Sequence, residues 1–462
     1  MPRVPTLAAA VAALALPALA QDHPDKILNH HADVSLPLTP ERAATLRPAW
    51  ERNFDSPVSA RPVVIGERVY AVEWEGQVHV LDAATGETIW SRRVTDDIRT
   101  DWPWHGFSGT PAFSDRAMFL ATVSGDAFAL DLETGETLWT ADISEDPHGG
   151  NVGEMLHWDG VVYIGLASVE EPLSKMVEGF EVDFRGAILA LDAATGETIW
   201  ELPLALPPAD GVPMWTSFAI DPDLGMLYFT TGNNYTSPNT LSDSMIAARL
   251  DTGEIVWNRQ TTPNDVWTQA EPDGPDYDYT GGAQLFEVTR DGETIPAVGA
   301  GEKSGRFHVW DRRTGDPLWS TVIGYPDVGG GIHGEASIGT DRVLLWGNNN
   351  YDNADPEQHL MDVGAVDIDT GQYLWMRNEV QPAVLESAGF LAGDVYFVGS
   401  LDGIVRGYDA RTGEDVWASD MHGPVASSLW FENDMLIWGT GVPVTFGGAE
   451  SGFGVVAYRL GE

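Results

Sequence analysis

The segment LDAATGETIW, residues 81–90, returns without a change at residues 191–200. Looser copies read LDLETGETLW (130–139), LDTGEIVW (250–257), WDRRTGDPLW (310–319), VDIDTGQYLW (366–375) and YDARTGEDVW (408–417). The closing tryptophans, Trp90, Trp139, Trp200, Trp257, Trp319, Trp375 and Trp417, stand 49, 61, 57, 62, 56 and 42 residues apart. A unit of this length is one supersecondary module, and it cannot bury its apolar face without a neighbouring copy to stack on.

Each unit reads as all-β. The residues before the motif alternate, as in Val78-His79-Val80-Leu81 and Ile188-Leu189-Ala190-Leu191, the period of a strand. The Thr-Gly step supplies a tight turn, with Gly taking the positive φ that other residues resist. Four-stranded blades set radially solve the edge problem for such repeats, because ring closure leaves only short, protected edges.

The expected count is eight. Trp50 lies 40 residues before Trp90, one blade's length, and the C-terminal strand Val455-Val456-Ala457-Tyr458 has no partner strand after it. The expectation is therefore an eight-bladed β-propeller of four-stranded blades, its ring closed by the N-terminal strand around Arg47–Arg52. Just before that strand, Thr39 and Pro40 read as the N-cap and first residue of a short helix.

Composition bounds the rest. Residues 1–20 carry an arginine, an Ala/Leu/Val-rich run and an Ala-Leu-Ala end, the pattern of a cleaved secretory signal. Residues 21–462 then form one propeller domain. No other apolar run is long enough to span a bilayer, so the expected location is the periplasm. These 462 residues contain no cysteine, which excludes disulfides and a C-x-x-C-H haem attachment within them. The formal charge is −45, from 70 acids and 25 bases. A surface of that sign repels nucleic acid and anionic membranes. It serves solubility, or it docks a basic partner.

The repeat tryptophans read as wedges between blades, burying large aromatic area. Chemistry belongs where the repeats are interrupted. Three insertions carry polar residues that a plain ring does not need: Gly165–Glu171 running on to Phe184-Arg185-Gly186; Met214-Trp215-Thr216 with Thr230–Tyr235; and Asn264–Trp267 with Gly274-Pro275-Asp276-Tyr277-Asp278-Tyr279. Gly301-Glu302-Lys303-Ser304-Gly305 follows. Loops on one face converge on the axis of a ring, and three or more converging oxygen donors suit a hard cation.

At these residues the chain resembles the quinoprotein alcohol dehydrogenases that use pyrroloquinoline quinone (PQQ), particularly their polyvinyl-alcohol dehydrogenase branch. The resemblance covers nearly all of residues 21–462. It implies Asn233, in Thr-Gly-Asn, as a metal ligand, with Glu170 as a second and its neighbour Glu171 as the rival. It implies Trp215 as the floor under the quinone, Asp276 as catalytic base and metal ligand, and Lys303 as the cation beside the reactive carbonyl. Asp278 is implied as an additional ligand, as in lanthanide-preferring members, with calcium as the default ion. Arg185 and Arg99 become candidates for the cofactor carboxylates. Gly329–Gly334 (GGGIHG) resembles the branch's next loop. The implied reaction takes an alcohol proton onto Asp276 while hydride passes to the quinone, and a separate, basic, soluble cytochrome c receives the electrons.

Many relatives roof the quinone with two adjacent cysteines, which this chain lacks. Trp102, Trp104 or Val182 are the residues that would take that place. Two rivals remain: a non-catalytic envelope scaffold of the kind that serves outer-membrane protein insertion, and a PQQ sugar or polyol dehydrogenase.

Overall fold

The computed structural model describes residues 31–32, 38–96, 98–100, 102–324, 326, 331–332, 334–339, 342–345, 348–350, 360–380, 388–432, 434–441 and 452–461. The signal segment read over residues 1–20 lies outside them. Among the described residues no helix is long and apolar enough to cross a membrane.

The strands are short and antiparallel, and burial grades across each blade. In the first blade the third strand, Gln77–Asp82, is buried at its four central positions. The outermost strand, Thr88–Arg93, has no buried position. The apolar residues of Val78-His79-Val80-Leu81 are therefore held between neighbouring blades, while the motif's Thr-Ile-Trp end faces outward and sideways.

The repeat motif is the latch between blades. Asp82 Oδ1 accepts from the amides of Ala84 and Thr85, at 3.0 and 2.8 Å, and from the Thr85 hydroxyl at 2.8 Å. Gly86 follows at φ +68°, and a Cβ there would lie 2.6 Å from the Trp50 ring. Glycine is thus required twice, by the backbone and by the indole laid against it. Trp50 Nε1 donates to Ala83 O in the same turn at 3.0 Å. Trp139, Trp200, Trp319 and Trp375 repeat this bond to Ala193, Leu250, Ile368 and Ala410, each at 3.0 Å. Each tryptophan reads the turn of the next unit, which is why Thr-Gly and Trp travel together.

The expectation of eight four-stranded blades is corrected: seven blades, not eight, are each one continuous stretch of chain. They span 63–93, 112–142, 156–203, 219–260, 284–322, 331–380 and 390–418, and are called blades 1 to 7. The last strand of each holds one of the seven motif tryptophans. Trp50 belongs to no such unit. Its strand, Arg47–Asn53, pairs antiparallel with Gly454–Arg459 in a composite seam sheet with Trp430–Glu432 and Met435–Thr440. Blades are not uniform either. Blade 6 is part of a six-stranded sheet, and His31–Ala32 adds a fifth, parallel strand to blade 7. The spacing of Trp50 looked like one more repeat because the seam reuses the same docking turn.

The short helix Pro40–Ala43 precedes the seam, with Thr39 Oγ1 accepting from Arg42 N at 3.4 Å. Apolar side chains fill the interfaces: Ile220, Leu227 and Phe229 of blade 4 pack, with Phe218 just before it, against Tyr163, Ile188 and Ala190 of blade 3.

Candidate functional site

In an antiparallel four-stranded blade, the loop entering strand one and the turn between strands two and three lie at the same end. That rule gathers the insertions. Glu171 follows the second strand of blade 3, Val161–Gly165; Trp215 precedes the first strand of blade 4, Ala219–Asp221, and Asn233 follows its second, Met226–Thr230. Asp276 and Asp278 precede the first strand of blade 5, Gln284–Arg290, and Lys303 sits between its second and third.

Lys303 is the hub. Its Nζ lies 3.0 Å from both carboxylate oxygens of Asp276 and 2.7 Å from Asp278 Oδ1. It stands 5.6 Å from the centroid of the Trp215 ring. Trp215 Nε1 donates to Asp278 Oδ2 at 3.3 Å. Lys303 N donates to Asp278 O at 2.9 Å, which fastens the two loops through the backbone. Gly331 backs onto this point: at φ +70° it has no room for a Cβ, which would lie 2.3 Å from Lys303 O.

Asp276, Asp278 and Lys303 are all buried. Burial pushes the Asp276 carboxyl well above the usual carboxylate range, with Lys303 opposing the rise and Asp278 and Glu171 adding to it. Burial draws the Lys303 ammonium down, but Asp276, Asp278 and Glu171 together hold it above its ordinary value. Glu171 is pushed up to about 7 by burial, with Lys303 opposing and Asp278 reinforcing. Three carboxyls around one ammonium leave an excess of negative charge that a buried site does not tolerate unpaired.

The backbone under Asp276 is held in the left-handed region at φ +52°. Asp265 maintains it, accepting from Asp276 N at 3.2 Å and Tyr277 N at 2.7 Å. Strain of this sort persists where surrounding bonds over-determine it, commonly at functional sites. Asn233 is buried, and its Nδ2 donates to Asn234 O at 3.0 Å and Trp267 O at 2.8 Å. The amide is thereby oriented, with its carbonyl oxygen as the end those bonds leave over.

Of the two adjacent glutamates, Glu171 rather than Glu170 interacts with Lys303 and Asp278. Glu170 begins the helix Glu170–Met176 and turns the other way. Its Oε2 accepts from Asp183 N at 2.9 Å and Phe184 N at 2.8 Å, and its Oε1 lies 3.7 Å from His148 Nδ1. Arg185 is exposed, with Nε donating to Ala209 O at 3.1 Å. Arg99 lays its guanidinium 4.3 Å over the Trp102 ring. Trp102 and Trp104 pack with Val169 and Leu173, beside the Glu171 helix, whereas Val182 packs into a blade interface with Phe184 and Ala187.

Sequence reasoning passed over Arg61. It is buried in the loop entering blade 1, its guanidinium 2.7 Å from Glu154 and 5.4 Å over the Trp430 ring. The one signal was its place in Ser-Ala-Arg-Pro, where the repeats otherwise turn apolar.

With this geometry in place, the likenesses to known proteins become specific. Residues 207–343 match the family described as "Glucose/ethanol/alcohol dehydrogenase, beta-propeller domain". That segment contains Trp215, Asn233, Asp276, Asp278 and Lys303. The polyvinylalcohol dehydrogenase of Sphingopyxis sp. (strain 113P3) is 27% identical over 416 residues, covering 81% of this chain and 63% of that protein.

The chain is similar to the PQQ-dependent alcohol dehydrogenases.

The chain spans under two thirds of the length of the polyvinylalcohol dehydrogenase it matches. The quinohemoprotein alcohol dehydrogenase of Comamonas testosteroni shares its fold, with a TM-score of 0.77 at 21% identity over 97% of this chain and 81% of that one. A europium-containing methanol dehydrogenase does so with a TM-score of 0.74 at 17% identity, over 94% and 96%. Residues 361–449 match the family of outer membrane protein assembly factor BamB. That stretch carries repeat units and none of the Lys303 group.

Proposed function

We propose that this chain oxidises an alcohol, using PQQ and one metal cation seated against the Lys303 group. The observation that carries the reading is the pair of buried carboxyls, Asp276 and Asp278, on the Lys303 ammonium beside the face of Trp215, with half-buried Glu171 electrostatically coupled to them. The residues fit such a cofactor pair. Asp278 is buried with Oδ1 in the 2.7 Å ion pair to Lys303 and Oδ2 accepting from Trp215 Nε1, so Asp276 and Asp278 together outnumber the one ammonium. Glu171, Asn233 Oδ1, Asp276 and Asp278 make an all-oxygen donor set, which suits calcium and other hard cations. When bound, the quinone supplies a two-electron acceptor and the cation a Lewis acid.

The chain's own residues divide the remaining work. Asp276 takes the alcohol's hydroxyl proton, and general-base help of this kind contributes about 10²–10⁴-fold. Lys303 keeps the Asp276 carboxylate charged against its burial and places a fixed positive charge where negative charge develops. Trp215 offers a flat floor for a planar ring. Trp102 and Trp104, beside the Glu171 helix, cover the site from water where other members use a cysteine pair.

Calcium is the ion we assign. The europium-containing neighbour makes a lanthanide the alternative, because Asp278 brings a further carboxylate oxygen to a more highly charged ion. Metal-stripped protein restored with calcium or lanthanum, in wild type and Asp278→Ala, separates them. Lanthanum exceeding calcium only in wild type assigns the trivalent ion.

The substrate is a secondary or polymeric alcohol, on the likeness to a polyvinylalcohol dehydrogenase; a sugar or polyol is the competing class. We assign the protein to the periplasm with a basic cytochrome c as electron acceptor, since a charge of −45 suits docking of a basic partner. Reduction of such a cytochrome slows with salt, as screening shortens to about 8 Å at physiological ionic strength. An envelope scaffold would have no use for the buried Lys303 cluster.

The deciding experiment loads the full chain with PQQ and calcium and follows bleaching of an artificial dye with a panel of alcohols. Quinone uptake is read separately from tryptophan fluorescence. Metal-dependent uptake and bleaching with one alcohol class support the reading; equal uptake in excess chelator, or in Glu171→Gln, overturns the metal assignment.

A further inference from the structure

Glu170 and Glu171 are adjacent, yet they serve different places. Behind Glu170, away from Lys303, lie Asp146 and His148. One ligand atom from each of Asp146, His148 and Glu170 falls within 4.8 Å of the other two. His148 Nδ1 is 3.7 Å from Glu170 Oε1 and 4.0 Å from Asp146 Oδ1.

The Glu170 side chain is 1% exposed. Its Oε2 is used by two backbone amides, while Oε1 is buried and has no hydrogen-bond partner among the described residues. An orphaned carboxylate oxygen in the interior costs free energy that a cation at this point would recover. That oxygen faces the imidazole nitrogen best suited to share such an ion.

From these positions we infer a second metal site, built from Asp146, His148 and Glu170, for a divalent cation of the zinc class. The donor set is one imidazole nitrogen and two carboxylate oxygens, which favours zinc over calcium. Two carboxylates neutralise the ion. Bonds of about 2.0–2.2 Å hold tetrahedral donors about 3.3–3.6 Å apart, so His148 closes on each carboxylate by a few tenths of an ångström and the two carboxylates, within 4.8 Å of each other, close by about 1 Å at most. A fourth position faces a surface cleft of about 1190 Å³, lined in part by Asp146, His148, Phe180 and Arg185, where water completes the shell.

The ligands are preorganised. Gly149–Gly150 pairs antiparallel with Ala167–Ser168, and Val169 N donates to His148 O at 3.1 Å. Asp146 Oδ1 accepts from His148 N at 2.8 Å. The His148 ring is set between Trp102 and Phe180, at centroid distances of 5.7 and 5.1 Å. The ion would clamp the start of the Glu170–Met176 helix to the loop of 146–148 and so fix the chain from which Glu171 projects. The site itself does not depend on the quinone reading.

The test is titration of the chelator-treated full chain with cobalt(II), held in excess calcium to occupy the Lys303 group. One equivalent should bind with the intense visible absorption of tetrahedral cobalt, and zinc should displace it. His148→Ala should weaken binding at least tenfold while melting as the wild type does without metal, and Asp146→Asn should do the same. Asp276→Asn should bind cobalt unchanged, which separates this site from the other. Absence of one-equivalent binding, or wild-type cobalt spectra in both His148→Ala and Asp146→Asn, overturns the inference.

Discussion

The seven repeat turns and the loops of blades 3 to 5 rest on the same four-stranded unit but handle polar groups in opposite ways. In a repeat turn the aspartate finds its partners locally. Asp192 Oδ1, for example, accepts from Ala194 N, Thr195 N and Thr195 Oγ1 within four residues of chain. In the site loops Asp276 and Asp278, from the loop entering blade 5, meet the Lys303 ammonium on a separate turn of that blade, and Glu171 of blade 3 is electrostatically coupled to them. Local satisfaction makes a turn that can be copied seven times. Long-range convergence makes a site that occurs once and stays short of positive charge.

The sharpest way to test that contrast is Asp276→Asn. It removes the base and keeps the volume, so dye reduction should fall about 10²–10⁴-fold with no loss of melting temperature. Full activity in that variant would remove Asp276 from the chemistry.

Lys303→Met comes next. Stranding buried acids without their cation should cost about 3–5 kcal/mol in metal-free protein, seen as a lowered denaturation midpoint. If added calcium restores most of the loss, the excess charge is what the metal answers; if it restores none, Lys303 is structural.

A smaller effect is expected from pH. Glu170 and Glu171 each rise from an ordinary value of 4.5 to about 7. Burial raises both, opposed by the Phe184 amide at Glu170 and by Lys303 at Glu171. The folded, metal-free chain therefore keeps protons that the unfolded chain has released, and stability falls as pH rises from about 4.5 to 7. A tenfold change in proton affinity corresponds to about 1.4 kcal/mol. Solvent screening reduces the effect of the two groups together to about 2 kcal/mol. Melting in chelator at pH 5 and pH 8 measures it, and a flat profile would place these carboxyls in solvent.

The smallest change belongs to the repeats. Gly86→Ala places a methyl against Trp50 at a left-handed φ, and should cost about 1–2 kcal/mol with dye reduction unchanged. Loss of activity there would mean that the seam, far from Lys303 in sequence, controls the site.

Much of the molecule was legible from residue order alone. The strand period, the Thr-Gly turns and the tryptophan latches are local patterns, each decided within about ten residues. The interrupted units named Trp215, Asn233, Asp276, Asp278 and Lys303, and the structure brings Trp215, Asp276 and Asp278 into direct interaction with Lys303. Arg185 and Arg99 were candidates for the cofactor carboxylates; the contacts the structure gives them are to Ala209 O and to the Trp102 ring.

Three features required the tertiary structure. Seven continuous blades and a composite seam are told apart only by strand pairing, since Arg47–Asn53 and Gly454–Arg459 are neighbours through hydrogen bonds about 400 residues apart in sequence. The choice between Glu170 and Glu171 depends on how one short helix is rotated, and successive helical residues point about 100° apart. Packing of Val169 and Leu173 against Trp102 sets that rotation. Arg61 is hidden by the same logic, its partner Glu154 lying two blades on. Periodicity is a property of neighbours along the chain, whereas a buried charge cluster is a property of neighbours across the ring.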